Sequence, residues 1–253
     1  MCFEPGSGPP IAPIAGGAVD GRRIELTSGD YTPFAGFLAR AERPTGAAML
    51  VLPDVRGLHA YYEELALRLA EAGVDALAID YFGRTAGTDD RPADFPFREH
   101  VEQTAYANLL LDLDAAARRL REEARPERVF SVGFCYGGRL AFLSAARPEL
   151  DLAGAIGFYG VVSGPGRAGM PAPVDLADEM RCPVLGLFGG ADESIPAETI
   201  AAFDAALGQA GVAHELVTYA EAPHSFFDRK AAQYADESAD AWRRVLEFVS
   251  RPD

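Results

Sequence analysis

The sequence predicts an α/β protein with a mostly parallel central sheet and helices on both faces, and three observations point to it. Short apolar runs alternate with amphipathic stretches of helical period along most of the chain. A glycine-rich turn, Gly133-Phe134-Cys135-Tyr136-Gly137-Gly138, directly follows one of those runs. Polar loops carrying Asp192 and His224 follow two later runs. All three side chains therefore fall at the carboxyl ends of strands, where open α/β sheets hold ligands.

The elements follow in order. Residues 1–22 are rich in proline and glycine and are expected to be irregular and to lie over the surface. Residues 23–27 and 34–40 read as a hairpin and 46–52 as the first buried strand. Leu58, Tyr62, Leu65, Leu69 and Ala72 keep helical spacing, and residues 74–79 return as a strand ending at Asp80. Residues 83–96, with Asp89 and Asp90, read as a solvated loop covering the active site. A long helix follows, with the stripe Tyr106, Leu110, Leu113, Ala117 and Leu120. Residues 128–132 form the strand before the turn, a helix runs on to about residue 146, and 152–159 form the next strand. Three glycines and three prolines make 164–173 an excursion from regular structure. The strand 182–188 delivers Asp192, a helix spans 196–210, and the strand 214–219 precedes the His224 loop. Trp242, Val245, Leu246 and Val249 mark the core face of a closing helix.

A chain of 253 residues that is 49% hydrophobic is expected to fold as one domain, 1–253. Lys and Arg total 23 against 38 Asp and Glu, and the net charge of −15 argues against nucleic acid or an anionic membrane as partner. A small anionic substrate stays open, because one or two local arginines suffice to hold it. Cys2, Cys135 and Cys182 form no C-x-x-C pair, and His59, His100 and His214 have no mutual ligand spacing, so no metal site and no disulfide framework is expected. These histidines, Cys2 and Cys182 read as surface or packing residues. No stretch approaches the roughly 18 apolar residues of a membrane span, and no secretory signal is evident. A cytoplasmic protein, monomer or dimer, is the expectation.

Gly133 and Gly137 relieve crowding in a tight strand-to-helix turn of the G-x-S-x-G kind, here with cysteine in place of serine above an α/β-hydrolase sheet. Cys135 is thus the candidate nucleophile. Asp192 and His224 follow in the order nucleophile, acid, base that this turn requires. Taken singly, Asp192 reads equally as a loop cap and His224 as a loop hydrogen-bonding residue. Together they supply a base to take the thiol proton and an acid to orient that base. The backbone N–H groups of Tyr136 and Val55 are the expected oxyanion donors.

The turn at 133–138, Asp80-Tyr81-Phe82-Gly83-Arg84, Gly157-Phe158-Tyr159-Gly160, Ala191-Asp192-Glu193-Ser194-Ile195-Pro196 and Pro223-His224-Ser225-Phe226 resemble the dienelactone hydrolase (carboxymethylenebutenolidase) family. The resemblance runs from about residue 30 to the end. It implies an α/β-hydrolase domain that cleaves small-molecule esters or lactones without a cofactor. It also implies that Asp54 stands where a glutamate primes the thiol, one methylene shorter; Asp54 reads equally as a helix cap or a partner of Arg56. Arg84 matches a position that grips a substrate carboxylate, with a solvated loop arginine as the alternative. Asp228 replaces a second expected arginine, with Arg229 one step later, and this points toward a neutral ester or a different lactone. Tyr159 is expected to line the acyl pocket, as are Tyr61 or Tyr62, with a place in the core as the commoner reading of aromatic residues at element ends. A broad esterase acting on activated aryl esters or phosphotriesters is a second reading. A catalytically idle or redox-sensing relative is a third.

Overall fold

Alternating apolar strands and amphipathic helices produce an eight-stranded sheet in the order β1-β2-β4-β3-β5-β6-β7-β8. The computed structural model describes residues 8–14, 20–92 and 94–251. The strands are β1 (Asp20–Thr27), β2 (Pro33–Arg40), β3 (Ala47–Leu52), β4 (Asp75–Ile79), β5 (Arg128–Phe134), β6 (Gly154–Phe158), β7 (Val184–Gly189) and β8 (His214–Tyr219). β1 and β2 pair antiparallel, and β2 pairs antiparallel with β4. All later pairings are parallel. The predicted mostly parallel α/β architecture is therefore what the chain forms. Residues 20–22, expected to be irregular, extend β1; Cys2 lies outside the described residues.

Side chains alternate across the sheet, as strand geometry requires. Met49 and Val51 of β3, Ala76 and Ala78 of β4, and Phe130 and Val132 of β5 face one side. There α1 (Ala60–Glu71) and α7 (Ala235–Ser250) cover them with Tyr62, Leu65, Leu69, Val245 and Phe248. Leu50, Leu77 and Val129 face the other side, under Leu113 and Leu120 of α4 (Tyr106–Ala124) and Leu140 of α5 (Tyr136–Ser144). Because both faces are covered, the central strands are apolar throughout rather than alternating in sequence.

One short helix, α2 (Gly83–Ala86), occupies the region read as loop, and another, α3 (Phe97–Val101), follows just beyond it. The remaining long helix is α6 (Ala197–Ala210). Among the described residues no helix is long and apolar enough to cross a membrane.

Candidate active site

The site is built where β5 turns into α5. Cys135 sits at the apex with φ 55° and ψ −108°, a left-handed conformation that a non-glycine residue adopts only at a local energetic penalty. Its N–H donates to the Phe158 carbonyl at 3.0 Å, and its own carbonyl accepts the Arg139 N–H at 3.1 Å. The flanking glycines are a steric demand. A Cβ on Gly133 would stand 1.9 Å from the Gly137 oxygen, and one on Gly137 would stand 2.1 Å from the Leu52 oxygen. Tyr159 (φ 38°) and Ser225 (φ 64°) also carry left-handed backbone next to the site, so strain gathers at this end of the sheet.

Asp192 and His224 reach each other because their loops touch. The Gly190 N–H donates to the Tyr219 carbonyl at 2.8 Å and the Ala191 N–H to the Ala222 carbonyl at 3.0 Å. A Cβ on Gly189 or Gly190 would collide with the backbone of residues 220–223. The result is a 2.6 Å contact between Asp192 Oδ2 and His224 Nδ1. Asp192 Oδ1 accepts the Ser194 N–H at 2.9 Å and the Ser194 hydroxyl at 2.5 Å. Burial raises the Asp192 pKa, but the hydrogen bonds from His224 and Ser194 outweigh it and hold the carboxyl below its ordinary value. Sequence reasoning passed over Ser194, although a hydroxyl two residues after an Asp is a familiar turn pattern.

Cys135 and His224 open onto one cavity of about 320 Å³. Val55, Phe97 and Val101 form its apolar wall, and Arg98, Glu102 and Arg167 its charged rim. Val55 thus lines the same cavity as the thiol, and Tyr136 begins the helix whose first-turn N–H groups have no intrahelical acceptor. The Tyr136 hydroxyl lies 2.9 Å from Thr104 Oγ1. A larger groove of about 570 Å³ lies at the opposite end of the sheet, against Trp242 and Arg128, and holds neither the thiol nor the imidazole.

Asp54 is fully buried in the loop after β3. Its Oδ1 accepts the Arg56 backbone N–H at 2.8 Å, and its own N–H donates to Tyr62 Oη at 3.0 Å. Asp80 ties this loop to the segment after β4, whose described residues within 83–96, expected to cover the active site, do not line the cavity. Its Oδ1 accepts the Leu58 N–H at 2.9 Å, while Oδ2 accepts the Phe82 N–H at 3.1 Å and Arg91 at 2.8 Å.

Three expectations need correction. Arg84 does not face the cavity: its guanidinium grips Asp30 (2.9 and 3.0 Å), Asp112 (2.8 and 3.0 Å) and Ser28 Oγ (2.9 Å). It is a clasp between the β1–β2 turn, α2 and α4. Tyr159 is fully buried rather than lining the cavity; its ring lies 4.9 Å from the His224 ring and its hydroxyl donates to Asp228 Oδ2 at 2.8 Å. Asp228, expected to repel an anionic substrate, is 4% exposed and lies outside the cavity wall, and the Arg229 side chain is exposed. Tyr61 and Tyr62 likewise belong to the core.

The other singled-out residues have packing partners. His59 packs edge-on to Tyr62 with ring centroids 4.9 Å apart, His100 stacks on Phe95, and His214 contacts Asp204. Burial pushes the Cys182 thiol up to about 12, which leaves it inert.

Residues 34–252 match the dienelactone hydrolase family. A Yersinia pestis protein named as a carboxymethylenebutenolidase is 32% identical over 232 residues, covering 89% of this chain and 85% of its own length. A crystal structure described as a dienelactone hydrolase of Klebsiella pneumoniae superposes with a TM-score of 0.80 at 30% identity, covering 93% of this chain and 100% of that one. A dienelactone hydrolase-like promiscuous phosphotriesterase from metagenomic libraries shares the fold, with a TM-score of 0.69 at 24% identity, covering 92% of this chain and 98% of its own. With its elbow cysteine, its acid and its histidine gathered at the carboxyl edge of an α/β-hydrolase sheet, the chain belongs to the dienelactone hydrolase family.

Proposed function

We propose that the chain hydrolyses an ester or lactone through Cys135, His224 and Asp192, by way of a thioester. The observation that carries this reading is the 2.6 Å Asp192–His224 contact on the same cavity as a cysteine held at φ 55°. His224 Nε2 takes the thiol proton, and Asp192 holds the far nitrogen and stabilises the imidazolium. The thiolate attacks the carbonyl carbon, and the charge that moves onto oxygen rests on the Tyr136 and Val55 N–H groups. Collapse breaks the C–O bond, and the leaving alkoxide takes the proton from His224. Water then loses a proton to His224 and attacks the thioester, releasing the carboxylic acid and restoring the thiol. Asp54, buried beside Val55, is the group proposed to prime the thiol. These steps require only the protein and water.

The cavity rim refines the substrate. Arg98 and Arg167 line it, and among the described residues neither guanidinium forms an ion pair. Arg167 stands close enough to Tyr136, the residue after the nucleophile, for its charge to act on that phenol. A carboxylate on the substrate, remote from the reacting carbonyl, complements these two planar cations. Asp228 lies outside the cavity wall and so does not itself face the substrate, while Glu102 shares the rim with the two arginines.

The reading is tested with Cys135→Ala in the full chain against short esters and lactones. The expected result is a loss of more than about a thousandfold in kcat/KM with the fold intact, and an acyl adduct on the wild-type thiol in acid-quenched samples. Retention of more than about a tenth of wild-type kcat/KM would sink the nucleophile assignment. A peroxide-sensitive Cys135 without turnover of any ester, lactone or phosphotriester would replace it with thiol-based sensing.

A further inference from the structure

The His224 loop continues through Phe226 and Phe227 into Asp228, a carboxyl buried beneath the site with no part in the steps above. Among the described residues the donors that reach its oxygens are neutral: the Tyr159 hydroxyl at Oδ2, 2.8 Å away, and the Arg229 backbone N–H at Oδ1. Among the described residues no lysine or arginine forms an ion pair with it. The titratable groups that act on it or on its neighbours come from each packed element: Asp54 from the loop after β3, Tyr61 from α1, Tyr159 from the loop after β6, and His224 from its own loop. Asp54 is itself fully buried and lies near enough for its carboxyl to oppose ionisation of Asp228. Burial is the largest influence on Asp228, Asp54 adds to it, and against the Arg229 and Tyr159 hydrogen bonds the pKa is pushed up to about 8.

Tyr159 links this carboxyl to the base. Its ring lies 4.9 Å from the His224 ring at an interplanar angle of 54°. Phe134, Phe158 and Phe226 pack around it, and its N–H donates to the Leu187 carbonyl at 2.8 Å. The one polar atom of the ring is held by Asp228, so moving Asp228 moves the surface on which the imidazole rests.

We propose that Asp228 is a positioning residue for His224, acting through its hydrogen bond to the Tyr159 hydroxyl and the contact of the Tyr159 ring with the imidazole. This rests on the reading of His224 as the base. Ionisation places a buried negative charge near Asp54 in the loop that carries the Val55 donor, and that charge opposes both the thiolate and the oxyanion. Asp228 thus sets an alkaline limit to activity. The linkage has a definite sign: between the ordinary value of 3.8 and about 8, the folded state keeps the proton and the unfolded state does not. Stability therefore falls as pH rises through that window.

Asp228→Asn preserves the shape, the acceptor for the Arg229 N–H and a polar partner for Tyr159, while removing the titration. Asp228→Leu removes the partner. Denaturant unfolding from pH 6 to 9 is expected to show wild type losing stability relative to Asp228→Asn as pH rises. The wild-type kcat/KM profile is expected to fall near pH 8, with the limb displaced upward by about one unit or more in the Asn variant. At pH 7 the Asn variant is expected to keep kcat within about threefold, and the Leu variant to lose about tenfold or more. Parallel unfolding curves, or coincident alkaline limbs, would overturn the proposal; the Asn comparison decides even if the Leu variant does not fold. An active Cys135→Ala would instead overturn the nucleophile and leave the unfolding result intact.

Discussion

Arg84 spends its guanidinium on two carboxylates, one of them, Asp112, with a side chain only 1% exposed. Removing the cation leaves that carboxyl buried without its partner, a change that typically costs about 3–5 kcal/mol. Arg84→Ala is accordingly expected to lower stability by about 3 kcal/mol in urea unfolding while leaving kcat/KM for both charged and neutral esters within about threefold. A selective loss on carboxylated substrates with unchanged stability would return Arg84 to the site. The reason this residue was misread is distance in sequence: its partners Asp30 and Asp112 lie 54 and 28 residues away. Cys135 and Asp192 were legible because each sits beside glycines that have a steric cause, as the 1.9 Å clash at Gly133 makes plain, and His224 because it follows the last strand in a Pro-His-Ser-Phe loop. Tyr159 and Asp228 were not, because a buried tyrosine and a buried carboxyl declare their roles only through the residues folded against them.

At the scale of elements, strands were read closely and short helices were missed. β8 (His214–Tyr219) matches its expected span, since Leu216, Val217, Thr218 and Tyr219 are three β-branched or aromatic strand formers and a leucine in a row. α3 has five residues, too few for a helical period to register, yet it supplies Phe97, Arg98 and Val101 to the cavity. The 164–173 excursion was recognised from its glycines and prolines, but what orders it was not. Arg139, 3% exposed on α5, donates to the carbonyls of Val161, Ser163, Gly164, Met170 and Pro171. One buried guanidinium thus holds the loop that presents Arg167. Arg139→Met should keep much of the side-chain volume and strip every one of these bonds. With charged hydrogen bonds worth about 1.5–3 kcal/mol each and far from additive, a loss of roughly 2–4 kcal/mol is expected. Limited proteolysis should then cut within residues 161–171 faster than in wild type. An unchanged cleavage pattern would mean that the loop is ordered by its own turns.

Across the whole molecule, the alternation of strands and helices was enough to give the sheet and the edge on which the site lies, whereas the insertion of β4 between β2 and β3 is set by packing that no local pattern records. Scale matters for charge as well. The chain carries a net −15, yet the proposed substrate group is an anion held by Arg98 and Arg167 at the cavity rim. The two fields act over different ranges. Contact between a carboxylate and a guanidinium operates at about 3–4 Å, well inside the Debye length of about 10 Å at 0.1 M salt, while repulsion from the rest of the surface acts largely beyond it. Added salt should therefore weaken the repulsion more than the contact. For a matched pair of esters, one with a free carboxylate and one methylated, kcat/KM of the acid is expected to rise about two- to fivefold between 10 and 200 mM salt, and that of the methyl ester to stay flat. Wild type should prefer the acid. In the double variant Arg98→Gln with Arg167→Gln, the acid should lose about ten- to a hundredfold while the methyl ester changes little, the loss expected for two charge-assisted contacts at a partly exposed rim. A wild-type preference for the methyl ester, or an equal loss on both substrates, would remove the anion from the substrate and leave the rim arginines as surface groups.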